Sequence, residues 1–133
     1  MNQIITDAIN SLIRPLSGFE QAKVVEVSEG HSVVSIEISE TMLNSLGNVH
    51  GGFLFTLCDI SAGIISATHK KVSVTLNSNI NYIKGLSDGT LFFEANTQHC
   101  GRTTLVVEVK VTNQAGQLVC TGTFTMYILK DLV

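Results

Sequence analysis

NSLGNVHGGFLFTLCDISAGIISAT, residues 44–68, is the segment around which the rest of the chain is organised. It predicts a loop that enters, at Gly51 and Gly52, a helix that is apolar on almost every side. From Gly52 to Thr68 there is no proline and one side chain that is charged at neutral pH, Asp59. A carboxylate is charged at neutral pH, its ordinary pKa being about 3.9, so burying it among Phe55, Leu57, Ile60 and Ile64 is costly without a partner. Asp59 therefore either serves a purpose in that helix or faces a cleft. The stretch is short for a membrane span, and a charge near its middle costs about 3 kcal/mol on insertion scales. A core helix is the expectation.

The sequence around it has the length of one domain, residues 1–133. Ile4, Ile5, Ala8, Ile9, Leu12 and Ile13 line one face of a short helix that Pro15 stops. Residues 21–28 and 32–39 predict a hairpin turning near Gly30, with Val34, Ile36 and Ile38 on one face. Residues 39–43 suit a single helical turn. The long helix ends near His69, where Lys70 and Lys71 complement its dipole.

From Val72 the period changes to two. Val72, Val74, Leu76, Ser78, Ile80 and Tyr82 share one face, and Thr75 falls with the asparagines on the other. Three further strands are predicted over residues 90–98, 103–112 and 118–129, with turns at Gly101 and residues 113–116. Helix, two strands, long helix and four strands predict an α+β architecture, with an antiparallel sheet around the central helix.

Composition narrows the function. A net charge of −3 and pI of about 5.7 offer no basic patch for nucleic acid. Hydrophobic residues make up 44% and charged ones 14%, oily enough to expect that a second copy covers part of the surface. Cys58, Cys100 and Cys120 are dispersed and predict reduced thiols in a cytoplasmic protein; no secretory leader pattern opens the sequence. The histidines lack metal-ligand spacing, so no metal is expected, and His31 and His99 read as ordinary turn residues.

Two features carry chemistry. Amides at a helix start have no helical acceptor, the dipole is positive there, and glycine lets a ligand approach the backbone; Gly51 and Gly52 thus suit a developing oxyanion, or simply a tight loop. Asp59 is the other. Eight residues of helix separate it from Gly51, about 12 Å along the axis, too far for one carboxylate to reach a carbonyl held at its own helix start. If both serve one site, two copies of the chain supply them, in a C2 homodimer with two composite sites. Asn44 could bind the same carbonyl or form a turn. His50 suits a loop support or cap, and Thr75 could hold a water.

The run Asn44, Gly47, His50, Gly51, Gly52 with Asp59 in the next helix resembles the signature of hotdog-fold acyl-CoA thioesterases of the phenylacetate-degradation type. The strand TLNSNINYIKG and the order of elements are also similar to that family. The resemblance implies that the Gly51 amide, with Asn44, polarises a thioester carbonyl. It implies that Asp59 of the partner acts as nucleophile or general base, that Thr75 helps place the water and that His50 supports the loop. Gly52, Lys84, Arg102 and Thr103 fall near the implied substrate path; Lys84 and Gly85 stand where many relatives have Arg-Pro. No cofactor is implied beyond the CoA of the substrate, and dimers are often paired into tetramers.

Two alternatives come from other classes. A hotdog-fold hydratase or dehydratase pairs an acid closely with a catalytic histidine, whereas no acidic residue lies in the nine positions before His50. A non-catalytic acyl-CoA-binding module usually carries an appended DNA-binding domain, and one domain fills this sequence.

Overall fold

A computed structural model describes residues 3, 4, 7 and 17–132. Except for Ile4, the apolar face of the expected N-terminal helix lies outside the described residues. The rest is one six-stranded antiparallel sheet, order β1-β2-β4-β5-β6-β3, and one long helix. The strands are β1 (Lys23–Ser28), β2 (His31–Glu37), β3 (Lys71–Tyr82), β4 (Thr90–Cys100), β5 (Thr104–Asn113) and β6 (Leu118–Asp131); helix α1 is Gly51–Thr68.

Boundaries differ from expectation by a few residues. The start of the first expected strand is a 3-10 turn, Phe19–Gln21, and the single turn before the glycine loop is a 3-10 turn, Glu40–Met42. The hairpin alternates as expected, with Val34 and Ile36 buried. The helix is long and apolar enough by composition to span a membrane. Here eight of its residues, Phe53, Leu57 and Ile65 among them, are buried instead. They meet the inward side chains Phe93 on β4, Val107 and Val109 on β5, and Phe124 on β6. Phe19 stacks on Phe53 with ring centroids 4.4 Å apart, sealing one end of the core.

The sheet curls around α1, which touches β2 through β6. One strip of the helix is not covered: Thr56, Ile60 and Ala67 are exposed, and Phe55, Asp59 and Gly63 are half-buried. Apart from Asp59 and Thr56 that strip is uncharged and small or apolar, and only a further surface would bury it.

Strand β3 corrects the sequence reading. Its pairing with β6 slips between Val72 and Ser73 and again between Thr75 and Asn77. The first leaves Leu129 of β6 unpaired; the second leaves Leu76 of β3 unpaired and so reverses the alternation of β3 on either side of it. Between them Thr75 lies opposite the buried Met126 and faces the helix, while Val74 and Leu76 turn outward, 49% and 62% exposed. Composition carries no trace of the slips, because register against β6 sets them.

Candidate active site

The loop before α1 is built by Asn44. Its side-chain oxygen accepts from the backbone N–H of Leu46 (2.9 Å) and of Asn48 (3.1 Å), and its own N–H donates to the Asn48 carbonyl at 2.7 Å. Gly47 takes the left-handed conformation this tight turn needs, φ +81°. Of the two roles open to Asn44, the turn is thus evident in its bonds. His50 then caps the helix: the Gly52 N–H donates to His50 Nδ1 at 3.2 Å. The His50 carbonyl accepts from Phe53 and Leu54. Gly52 is therefore engaged within the chain, whereas the Gly51 N–H donates to no acceptor among the described residues. It is the open donor at the positive end of the helix.

Tyr82, the last residue of β3, lies against this donor. Its hydroxyl donates to the Gly51 carbonyl at 2.8 Å, and a Cβ on residue 51 would come within 3.2 Å of the Tyr82 ring. Burial, with smaller contributions from Cys120 and Cys58, pushes the Tyr82 phenol above its ordinary pKa, so it stays a donor at neutral pH. Tyr82, Gly51, Val49, Leu54, Lys84 and Gly85 line a cavity of about 280 Å³. A larger hollow, about 390 Å³, lies beside β1 and β2 near Glu20, Lys23 and Glu37 and holds none of the candidate residues.

Asp59 projects from the middle of α1, half-buried, on the uncovered strip. Its partner is the Thr75 hydroxyl, which donates to Asp59 Oδ1 at 2.5 Å. The nearer hydroxyl along the helix, Thr56, is spent on the Gly52 carbonyl at 2.9 Å. The carboxylate is thus held in one orientation by β3 while its second oxygen has no partner among the described residues. It is suited to abstract a proton or attack an electrophile.

The remaining candidates are spread out. Lys84 is exposed beside the Gly51 cavity. Arg102 and Thr103 are exposed in the β4–β5 turn; the Thr103 carbonyl accepts from Ile128, and adjacent Thr104 pairs with Tyr127, itself paired with Val74. That turn is level with the far half of β3, away from Tyr82. One protomer therefore joins Asp59 with Thr75, and Gly51 with His50, Tyr82 and Lys84, but does not join the two groups; the Arg102 turn lies at the Thr75 end of β3, two strands across, and away from Gly51. The contact of Tyr82 with Gly51 escaped the sequence reading, which placed Tyr82 only on one face of a strand. The aromatic side chains of α1 do not take its place: Phe53 is core and Phe55 packs on Phe124. The aromatic directly before the Ile83, Lys84, Gly85 loop was the available signal.

A sheet curled around one helix, with a glycine entrance and a hydroxyl-bound aspartate, defines a hotdog fold equipped for acyl transfer. Residues 46–120 match the family model described as the thioesterase superfamily, and the chain belongs to that family. It is a thioester hydrolase. A hypothetical thioesterase protein of Streptococcus pneumoniae TIGR4, solved with coenzyme A, is similar at 40% identity and TM-score 0.86, covering 89% of this chain and 96% of that one. The Streptococcus mutans UA159 protein smu.793, solved bound to acetyl CoA, is also 40% identical, with TM-score 0.83 and coverage of 90% and 97%. A 1,4-dihydroxy-2-naphthoyl-CoA hydrolase of Listeria monocytogenes is 28% identical over 111 residues, 81% of this chain and 90% of that one. The S. pneumoniae protein has also been solved with alanine in place of an aspartate and of a threonine sixteen positions apart.

Proposed function

We propose that this chain hydrolyses acyl- or aryl-CoA thioesters at two sites shared between the copies of a homodimer. The observation that carries the reading is the Asp59 carboxylate, oriented by Thr75 on the uncovered strip of α1, with the open Gly51 N–H about 12 Å away along the helix. Each group lacks what the other supplies. A two-fold axis beside the strip sets one copy's Gly51 amide opposite its partner's carboxylate and buries exposed Ile60. CoA substrates fit the relatives, and the interval between the two replaced residues in the S. pneumoniae protein equals that between Asp59 and Thr75.

The thioester carbonyl accepts from the Gly51 N–H, which stabilises the oxyanion more than the neutral carbonyl. Asp59 either removes a proton from an attacking water or attacks the carbonyl itself, with water then hydrolysing the resulting anhydride. Both routes expel the CoA thiolate, which takes up a proton, and leave the free acid. Asn44 and His50 hold the loop, Gly52 supplies the capped amide, and Lys84, Arg102 and Thr103 offer donors to the CoA phosphates. The setting is cytoplasmic, with no cofactor, nucleic acid or membrane. Pairing of dimers has a surface to use, the outer edge strand β1 with its exposed Val24, Val25 and Val27.

Mixing two inactive variants tests the shared site. Asp59→Ala lacks the carboxylate; Gly51→Pro lacks the N–H and has the backbone angle of a first helical position, its Cβ requiring the half-exposed Tyr82 ring to give by a few tenths of an ångström. Mixed after unfolding and refolding, half the dimers are heterodimers with one intact site, so about a quarter of wild-type CoA release returns. Sites confined to one protomer would return none.

A further inference from the structure

We infer that Tyr82 is a positioning residue for the oxyanion donor, fixing the glycine pair at the helix entrance so that the Gly51 N–H alone points outward. Two consecutive glycines have more conformational freedom than any other dipeptide, and an unpinned Gly-Gly start would let the donor wander or fray. Here the pair is held from both sides. His50 takes the Gly52 N–H at 3.2 Å from the loop, and Tyr82 gives its hydroxyl to the Gly51 carbonyl at 2.8 Å from β3. Tyr82 is 53% exposed, so its ring adds little to the core, yet its hydroxyl is spent on a helix-start carbonyl rather than on water. The close approach of ring to Gly51 leaves no room for a side chain at residue 51 without a shift, which ties the glycine to the tyrosine. The same ring walls the cavity of about 280 Å³ beside the donor, where a bound acyl group would press on it.

The inference rests on the Gly51 N–H being the donor to the thioester, and the test separates the two claims. Tyr82→Phe keeps the ring and removes only the hydroxyl. Its kcat for CoA release is expected to fall roughly five- to ten-fold, the rate equivalent of one lost hydrogen bond, with KM within about two-fold and the melting temperature nearly unchanged. In backbone amide NMR the Gly52 N–H of this variant should lose exchange protection. Unchanged kcat and unchanged Gly52 protection, or a loss seen only in KM or melting temperature, would overturn the positioning role while leaving the hydrolase reading intact. If wild type released no thiol from any CoA ester, the hydrolase reading would fall. The Gly52 exchange measurement would then still decide whether Tyr82 holds the entrance.

Discussion

Replacing Thr75 by valine keeps the β-branched shape facing Met126 and removes one hydroxyl. That hydroxyl donates to Asp59 Oδ1 at 2.5 Å, and bonds to charged acceptors contribute about 1.5–3 kcal/mol. Asp59 is half-buried, so water can replace part of what is lost, and the lower end, about 1.5 kcal/mol, is the relevant figure. If the bond orients the carboxylate for attack, that loss appears in the transition state as a roughly ten-fold fall in kcat. Thr75→Ser, which retains the hydroxyl, should recover to within about three-fold of wild type. The assay is CoA release from a panel of acyl and aryl thioesters at saturating substrate. Asp59→Asn, with and without Thr75→Val, completes a double-mutant cycle. In the Asp59→Asn background the valine should cost almost nothing more. Wild-type rates for Thr75→Val, an impaired Thr75→Ser, or the same ten-fold loss in both backgrounds would mean that the hydroxyl does not orient the carboxylate.

Two further outcomes concern the rest of the chain. Cys58 and Cys120 are buried, and their mutual hydrogen bond and burial push the Cys58 thiol well up, whereas Cys100 is exposed. Ellman's reagent should therefore titrate one thiol per chain in the native protein and all three after denaturation; fast native reaction of a second would contradict the packing. The His31 pKa is raised, first by its bond to Asn96 (2.8 Å) and then by Glu26 (3.2 Å). A raised pKa gives stability that is complete below the ordinary histidine value of about 6.5 and is lost as pH climbs through the folded-state value. Melting temperature should drop slightly above that value, by less than about 1 kcal/mol in stability for so open a pair, and Glu26→Gln should flatten the trend.

The sequence made the helix and its entrance legible because the glycine loop and the apolar run are local features with local causes. Asp59 stood out for the same reason. The alternation of Val34 and Ile36 located the inner face of β2, since that strand pairs without interruption with β4. Residues 72–75 could not be placed that way, because the extra residue Leu76 inverts their phase relative to residues 77–82 and turns Thr75, not Val74, toward the helix. The bond of Thr75 to Asp59 and that of Tyr82 to Gly51 both depend on tertiary register. So does the separation of Arg102 from Gly51, which only the strand order reveals.

The slip after Thr75 has a consequence of parity. Thr75 and Tyr82 are seven positions apart, an odd interval, and an uninterrupted strand would aim them at opposite sides of the sheet. With one extra residue absorbed between them, a single strand serves the acid at mid-helix and the glycines at its start. Deleting Leu76 would straighten the strand and leave its hydrophobic count nearly intact. The chain could still fold, yet one of those two anchors would have to swing away.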